Sequence, residues 1–264
     1  MTYIQAIIIA VIEGITEYLP ISSTGHMIIS SSLMGISGNA FVKLFTVCVQ
    51  LGAILSVIVL YFKRFFKSID FYYKLLIAFI PAAIFGKLLG DYIDVLLENP
   101  LGVGISLLLG GVILLFVDKL FNKSETDDAD KINVLTAFKI GLFQCIALIP
   151  GVSRSGATIV GGMSQKMSRK AAAEFSFFLA VPTMFAATVY KLYKYTKEFG
   201  TPTNEELKLL AIGNIVAFVV ALMAIKSFIG ILNKHGFKLF GWYRIVVGII
   251  IIILFLNNPN LSII

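Results

Sequence analysis

Six stretches of the chain run almost free of charge for long enough to approach a bilayer crossing: 44–62, 75–90, 101–117, 175–190, 209–225 and 245–256. A spanning helix needs about 20 apolar residues, with about 17 as the lower limit. Several of these runs are shorter or contain Pro81, Lys87 or Pro182, so flanking residues or tilt must complete them. Two further regions are apolar overall but interrupted. The first, 2–34, contains Glu13, Glu17, Pro20, Ser22, Ser23, Thr24, Gly25 and His26; the second, 140–163, contains Gln144, Pro150, Gly151, Ser153, Arg154, Ser155, Gly156 and Thr158. Non-helical backbone at membrane depth persists only where protein or a polar cavity satisfies it. Both regions are therefore predicted to be re-entrant helix–turn–helix hairpins. No ten-residue alternating pattern supports barrel strands. The predicted fold class is an all-α polytopic membrane protein, with six transmembrane helices and two re-entrant helical hairpins.

Composition agrees with the pattern and excludes other classes. Of 264 residues, 58% are hydrophobic and 14% charged, against about 25% charged in soluble domains. Mean hydropathy is +0.92, leaving too few polar side chains for a water-facing surface. A secreted disulfide scaffold, a nucleic-acid-binding domain and a disordered chain are excluded. The net charge of +7 would suggest nucleic acid in a soluble protein, but here the basic residues cluster between apolar runs, as in cytoplasmic loops. Cys48 and Cys145 each sit in an apolar run and read as packing residues. Glu13 and Glu17 interrupt the first apolar stretch and no basic segment precedes it, so it is expected to belong to the mature fold.

Charge asymmetry sets an orientation. Lys63, Arg64, Lys67 and Lys74 crowd one connection against Asp70 alone, whereas 91–98 has three acids and no base. The first is read as cytoplasmic and the second as external. By parity 118–139 is cytoplasmic, 191–208 external in spite of its four lysines, and 226–244 cytoplasmic, with both termini outside. The two broken regions then enter from opposite faces, which implies inverted-topology repeats, about 1–117 and 118–264, within one membrane domain, 1–264. A weak internal likeness supports this: LPISSTG (19–25) against IPGVSRSG (149–156) with one insertion, followed by VQLGAILSVIVLYFK (49–63) and VPTMFAATVYKLYK (181–194). Such halves bring two broken helices together near the midplane.

The interruptions carry the candidate chemistry. Glu13 and Glu17 are four apart, hence on one helix face, where two like charges repel. An ionised carboxylate inside a membrane is costly and usually functional, so proton transfer or cation binding is preferred to a pair at the headgroups. Ser23 and His26, three apart after Pro20, can face one space, where a hydroxyl acts as nucleophile with His26 or Glu17 moving its proton. Arg154 is the one charge between Lys139 and Lys166. Its guanidinium suits phosphate oxygens, although pairing with Glu13 or Glu17 for structure is the alternative. Gly151 and Gly156 allow backbone N–H groups to approach an anion, and the helix start adds its dipole. Together the hairpins describe a phosphate-handling centre. Walker, GxGxxG and zinc spacings are absent. His235 reads as a headgroup contact. Arg244 reads as a positive-inside anchor in preference to a part of the pocket floor.

At these residues the chain is similar to the bacterial undecaprenyl-pyrophosphate phosphatase family, the bacitracin-resistance type. EGITEYLPISSTGH (13–26) fits its glutamate-rich motif and PGVSRSGAT (150–158) its second motif, with no departure at a functional position. The resemblance implies hydrolysis of undecaprenyl pyrophosphate to undecaprenyl phosphate, the carrier lipid of wall polymers, in the bacterial plasma membrane with the site open to the outer side. It implies Glu13, Glu17, Ser23, His26 and Arg154 as the catalytic set, and Ser22, Thr24, Gly25, Gly151, Ser153, Ser155, Gly156 and Thr158 around the substrate. A divalent cation, Mg²⁺ or Ca²⁺, would be held by Glu13 and Glu17. The partners are then a polyprenyl pyrophosphate and membrane lipids, with no nucleic acid and a homodimer as a candidate assembly. Ser23 attack and direct attack by water both remain open. A transporter of undecaprenyl phosphate built on the same inverted repeats is the alternative function.

Overall fold

The computed structural model describes residues 1–63, 69–97 and 99–257; Arg64, Lys67 and Glu98, used above for orientation, lie outside the described residues. The chain folds into α1 (Tyr3–Thr16), α2 (Ser23–Leu33), α3 (Ala40–Cys48), α4 (Gln50–Leu60), α5 (Ile69–Leu88), α6 (Gly90–Leu97), α7 (Pro100–Leu120), α8 (Val134–Ile146), α9 (Arg154–Ser164), α10 (Arg169–Phe199), α11 (Asn204–His235) and α12 (Lys238–Asn257). Among the described residues, six helical segments are long and apolar enough to cross a bilayer: Ala40–Leu60, Ile69–Leu88, Pro100–Leu120, Arg169–Phe199, Asn204–Leu232 and Lys238–Asn257. Each contains the greater part of one of the six predicted runs. α1 and α8 are apolar but too short to cross, at 14 and 13 residues. Each is followed by a turn and a second short helix, α2 or α9.

Two helices run well past their apolar cores. The polar connection expected at 191–208 shrinks to the residues between Phe199 and Asn204, and that expected at 226–244 to the two residues between His235 and Lys238. Long side chains permit this: Lys191 and Lys194 are half-buried along the helix, with the Lys194 ammonium 5.6 Å from the Tyr190 ring centroid, and Lys197 is exposed in its last turn. The helix ends at Gly200, where φ is 86°. Thr203 then starts α11 with a capping box closed by Glu206.

Burial separates an inner from an outer layer. Residues 171–180 of α10 are all buried, because this stretch, Glu174 apart, is small or apolar on every side. Its aromatic faces meet neighbours edge-on, as Phe177 meets Tyr18 and Phe178 meets Phe71. α11 and α12, by contrast, expose rows of large apolar side chains such as Ile215, Val219, Ile249 and Ile253, a surface suited to lipid.

Two contacts fix helices that later bear on the site. α7 and α12 meet through glycines in antiparallel register: a Cβ on Gly104 or Gly248 would crowd the other's carbonyl oxygen, at 3.3 and 2.8 Å, and one on Gly111 or Gly241 likewise, at 2.8 and 2.9 Å. Small residues at seven-residue spacing let two backbones touch, which is how helices associate where lipid gives no hydrophobic drive. The span Ala40–Leu60 is divided at Val49, and there α11 intrudes: the Gly52 amide donates to the Asn214 side chain at 2.7 Å. A side chain entering the helical ladder is a sufficient cause for the break. At the far end of α7, Asp118 accepts from Arg169 Nε at 2.6 Å and from the Phe237 amide at 2.8 Å, tying the starts of α10 and α12 together.

Candidate active site

The turn between α1 and α2 and the turn between α8 and α9 have the same local design. Each ends on a serine N-cap in a positive-φ conformation, Ser22 at 71° and Ser153 at 75°. Each serine hydroxyl accepts from the amide of the glycine three residues on, Gly25 at 3.4 Å and Gly156 at 3.2 Å. A non-glycine residue held there costs about 1–3 kcal/mol, and such strain gathers at functional sites. The two caps place Ser23 and Arg154 as the first residues of α2 and α9.

The two turns converge on Glu17. This carboxylate, 5% exposed, accepts from Arg154 Nη2 at 3.0 Å through Oε1 and from Ser23 Oγ at 2.5 Å through Oε2. Arg154 is held from behind: its Nη1 donates to the Ser176 carbonyl at 2.9 Å, and the Ser176 hydroxyl pairs with Thr158 at 2.6 Å. Its Nε is buried without a hydrogen-bond partner among the described residues. Ser155 crosses between the turns, donating to the Leu19 carbonyl at 2.8 Å, and Ser153 lies 3.1 Å from it. Gly151, with φ of 88°, lies so close to α7 that a Cβ would sit 2.7 Å from the Val103 carbonyl. Thr24 is half-buried on the first turn of α2.

His26 is placed differently from Ser23. Its Nδ1 lies 2.7 Å from the Ser22 carbonyl and its Nε2 2.8 Å from the Tyr243 hydroxyl. A carbonyl only accepts, so Nδ1 carries a proton, and in the neutral ring Nε2 accepts from Tyr243. The two rings are nearly parallel, 5.6 Å apart. Both nitrogens are thus engaged, and the hydroxyl of Ser23 is served by Glu17 instead. Of the two proton acceptors that the sequence offered for Ser23, the geometry favours the carboxylate.

Glu13 is fully buried one turn before Glu17, and neither of its oxygens meets a hydrogen-bond partner among the described atoms. Two uncommitted carboxylate oxygens facing a second carboxylate fit a hard cation, which takes oxygen ligands. Among the described residues no cluster of three His, Cys, Asp or Glu completes such a shell. Further oxygens would have to come from hydroxyls, water or a bound phosphate.

Two supporting residues, Ser176 and Tyr243, escaped the sequence reading, and a third, Arg244, was placed at the pocket floor there only as the less favoured of two readings. Ser176 sits in an apolar run and carries no pattern of its own. Tyr243 resembles an ordinary interfacial aromatic. Arg244, read as a loop anchor, is 1% exposed and buried beside both turns, so its placement at the pocket floor replaces the anchor reading. Its position after a basic connection hid it.

The sequence profile of the bacitracin resistance protein BacA family matches residues 6–250. An undecaprenyl-diphosphatase of Flavobacterium psychrophilum is 64% identical over 96% of both chains. The protein of the same name from Porphyromonas gingivalis is 53% identical over the full length of both, and that of Aquifex aeolicus 47% identical over 97% of this chain and 100% of its own. With its six apolar crossings and a match over nearly all its length, the chain is a multi-pass membrane protein and belongs to the bacitracin resistance protein BacA family.

Proposed function

We propose that the chain hydrolyses undecaprenyl pyrophosphate to undecaprenyl phosphate and inorganic phosphate, returning the lipid carrier to cell-wall synthesis and conferring bacitracin resistance. Relatives at 44–64% identity carry the name undecaprenyl-diphosphatase. The observation that carries the reading is the division of Glu17 between Arg154 and Ser23. An incoming phosphate competes with Glu17 for Arg154. As the guanidinium turns to the phosphate oxygens, the carboxylate is released from its ion pair and stays against the Ser23 hydroxyl, placed to take its proton.

Ser23 Oγ then attacks the terminal phosphorus while its proton passes to Glu17. The bond from that phosphorus to the bridging oxygen breaks, and undecaprenyl phosphate leaves. Water hydrolyses the phosphoseryl ester, releasing inorganic phosphate and restoring the hydroxyl. Arg154 and the amides at the two helix starts hold the charge on the transferring group, which is where such enzymes gain most of their rate. Ser155 and Thr158 keep Arg154 and the turns in place. Glu13, whose two oxygens are uncommitted, would hold Mg²⁺ or Ca²⁺, whose charge would offset that of the pyrophosphate, while Glu17 serves as the base.

We further read 1–117 and 118–264 as inverted repeats, α1–α2 and α8–α9 being re-entrant. Matching Ser22 with Ser153 pairs Gly25 with Gly156. A twofold exchanging α7 and α12 maps the Gly104–Gly248 contact onto Gly241–Gly111. Because those helices are antiparallel, such an axis lies in the membrane plane, the inverted arrangement. We also read the protein as lying in the bacterial plasma membrane with the site toward the outer side, an orientation that the family likeness implies and that the excess of Lys and Arg in the loops read as cytoplasmic supports.

The test is phosphate release from undecaprenyl pyrophosphate by purified protein in detergent, where no two compartments exist. Release lost in Arg154→Ala supports the phosphatase. Inert wild-type protein would sink the reading.

A further inference from the structure

Arg244 lies on the second turn of α12 and uses all its donors on backbone. Its Nε donates to the Leu107 carbonyl at 3.3 Å; Nη1 donates to Pro20 at 3.0 Å and Val152 at 2.9 Å; Nη2 donates to Ser106 at 3.1 Å and Gly151 at 2.9 Å. A guanidinium has five N–H groups, and five carbonyls take them. No carboxylate is among these partners. The distribution matters more than the number: one nitrogen, Nη1, joins the turn that leads into Ser23 to the turn that leads into Arg154. Of the remaining bonds, those to Leu107 and Ser106 tie the guanidinium to α7, and that to Gly151 is a second hold on the turn before Arg154.

A buried arginine committed to carbonyls on three separate segments is costly unless its geometry is used. Here it sets the distance between Ser23 and Arg154, and hence whether Glu17 can reach both. α7 is shaped for it: a Cβ on Gly110 would lie 2.1 Å from Arg244 Nη2. That glycine admits the guanidinium to the floor of the site.

We propose that Arg244 is a positioning residue for phosphoryl transfer, holding the nucleophile-bearing and phosphate-binding turns in register through Nη1, with Gly110 as the socket it occupies. The inference rests on the phosphatase reading. Lysine offers three donors from one point and cannot span the set. Arg244→Lys therefore keeps the charge but loses the register. Gly110→Ala keeps the arginine itself and displaces its guanidinium, while alanine favours the helix otherwise.

The experiment compares wild type, Gly110→Ala, Arg244→Lys and the double variant in detergent, by phosphate release from undecaprenyl pyrophosphate, gel filtration and thermal unfolding. Each single variant is expected to run as folded protein with kcat lowered about 100-fold, the cost of displacing reacting groups by about 1 Å, while KM stays near the wild-type value. The double variant should fall no further than the worse single one, because both act through one contact. A folded Gly110→Ala or Arg244→Lys with wild-type kcat overturns the proposal. So does loss of the fold in both, which would make Arg244 a structural group only. Wild-type protein that releases no phosphate is a different result, since it removes the phosphatase reading itself.

Discussion

At Glu17 one carboxylate does two incompatible things in the resting site. Its Oε1 is held at 3.0 Å by the guanidinium that would bind phosphate, and its Oε2 at 2.5 Å by the hydroxyl whose proton it would take. In the proposed mechanism, phosphate bound to Arg154 would free Glu17 to take the Ser23 proton. If Ser23 and Glu17 act as such a unit, their losses are not additive. Ser23→Ala and Glu17→Gln should each lower single-turnover phosphate release by about 10³-fold or more, and the double variant should be no slower than the slower single one. Near-normal turnover in Ser23→Ala would instead place water as the nucleophile. At this scale much was legible, because Glu13, Glu17 and Arg154 are charges set where lipid-facing chain should have none. The partners were not: Ser176 is one hydroxyl in an apolar run, and His26 turns to Tyr243 because the ring of a residue over two hundred positions away lies against it. No local spacing announces either contact.

Among the elements, the crossings follow from apolar length, and all six are where their sequence runs lie. The break at Val49 was invisible because its cause, the Asn214 side chain, comes from another helix. The same holds for the α7–α12 seam: its glycines are spaced by seven on each helix, but only the pairing tells why. Because Gly111 faces the Gly241 carbonyl at 2.8 Å, an added methyl meets rigid backbone and the helices must part. Gly111→Ala should therefore destabilise the protein by about 1–3 kcal/mol, the usual cost of overpacking. The check is the thermal midpoint in detergent set against Gly230→Ala, since the Cβ of residue 230 would meet nothing within 4 Å. An equal midpoint in the two variants would mean that the seam can open without cost. Activity should fall with the seam, because Arg244 rides on α12.

For the whole molecule, what matters is where the polar chemistry ends and lipid begins. Polar groups gather at the two turns, while the outer faces of α7, α11 and α12 expose Leu109, Val219 and Ile253 to the bilayer. A prenyl tail bound along such a surface exchanges lipid neighbours for protein side chains of similar polarity. The transfer from water that makes each buried methylene worth about 0.8 kcal/mol does not occur in that exchange. Recognition should then rest on the pyrophosphate held between the helix starts, and the tail should serve mainly to keep the substrate in the membrane phase. Fifteen-carbon and fifty-five-carbon prenyl pyrophosphates, compared in mixed micelles at equal surface concentration, should give kcat values within about tenfold of each other, a difference of no more than about 1.4 kcal/mol in the barrier. Any larger difference ought to appear in bulk KM, through partitioning into the micelle. A fifteen-carbon substrate that partitions fully and is still not turned over would mean that distant parts of the tail are gripped to drive the chemistry. In that case the apolar faces would be specificity surfaces instead of lipid contacts.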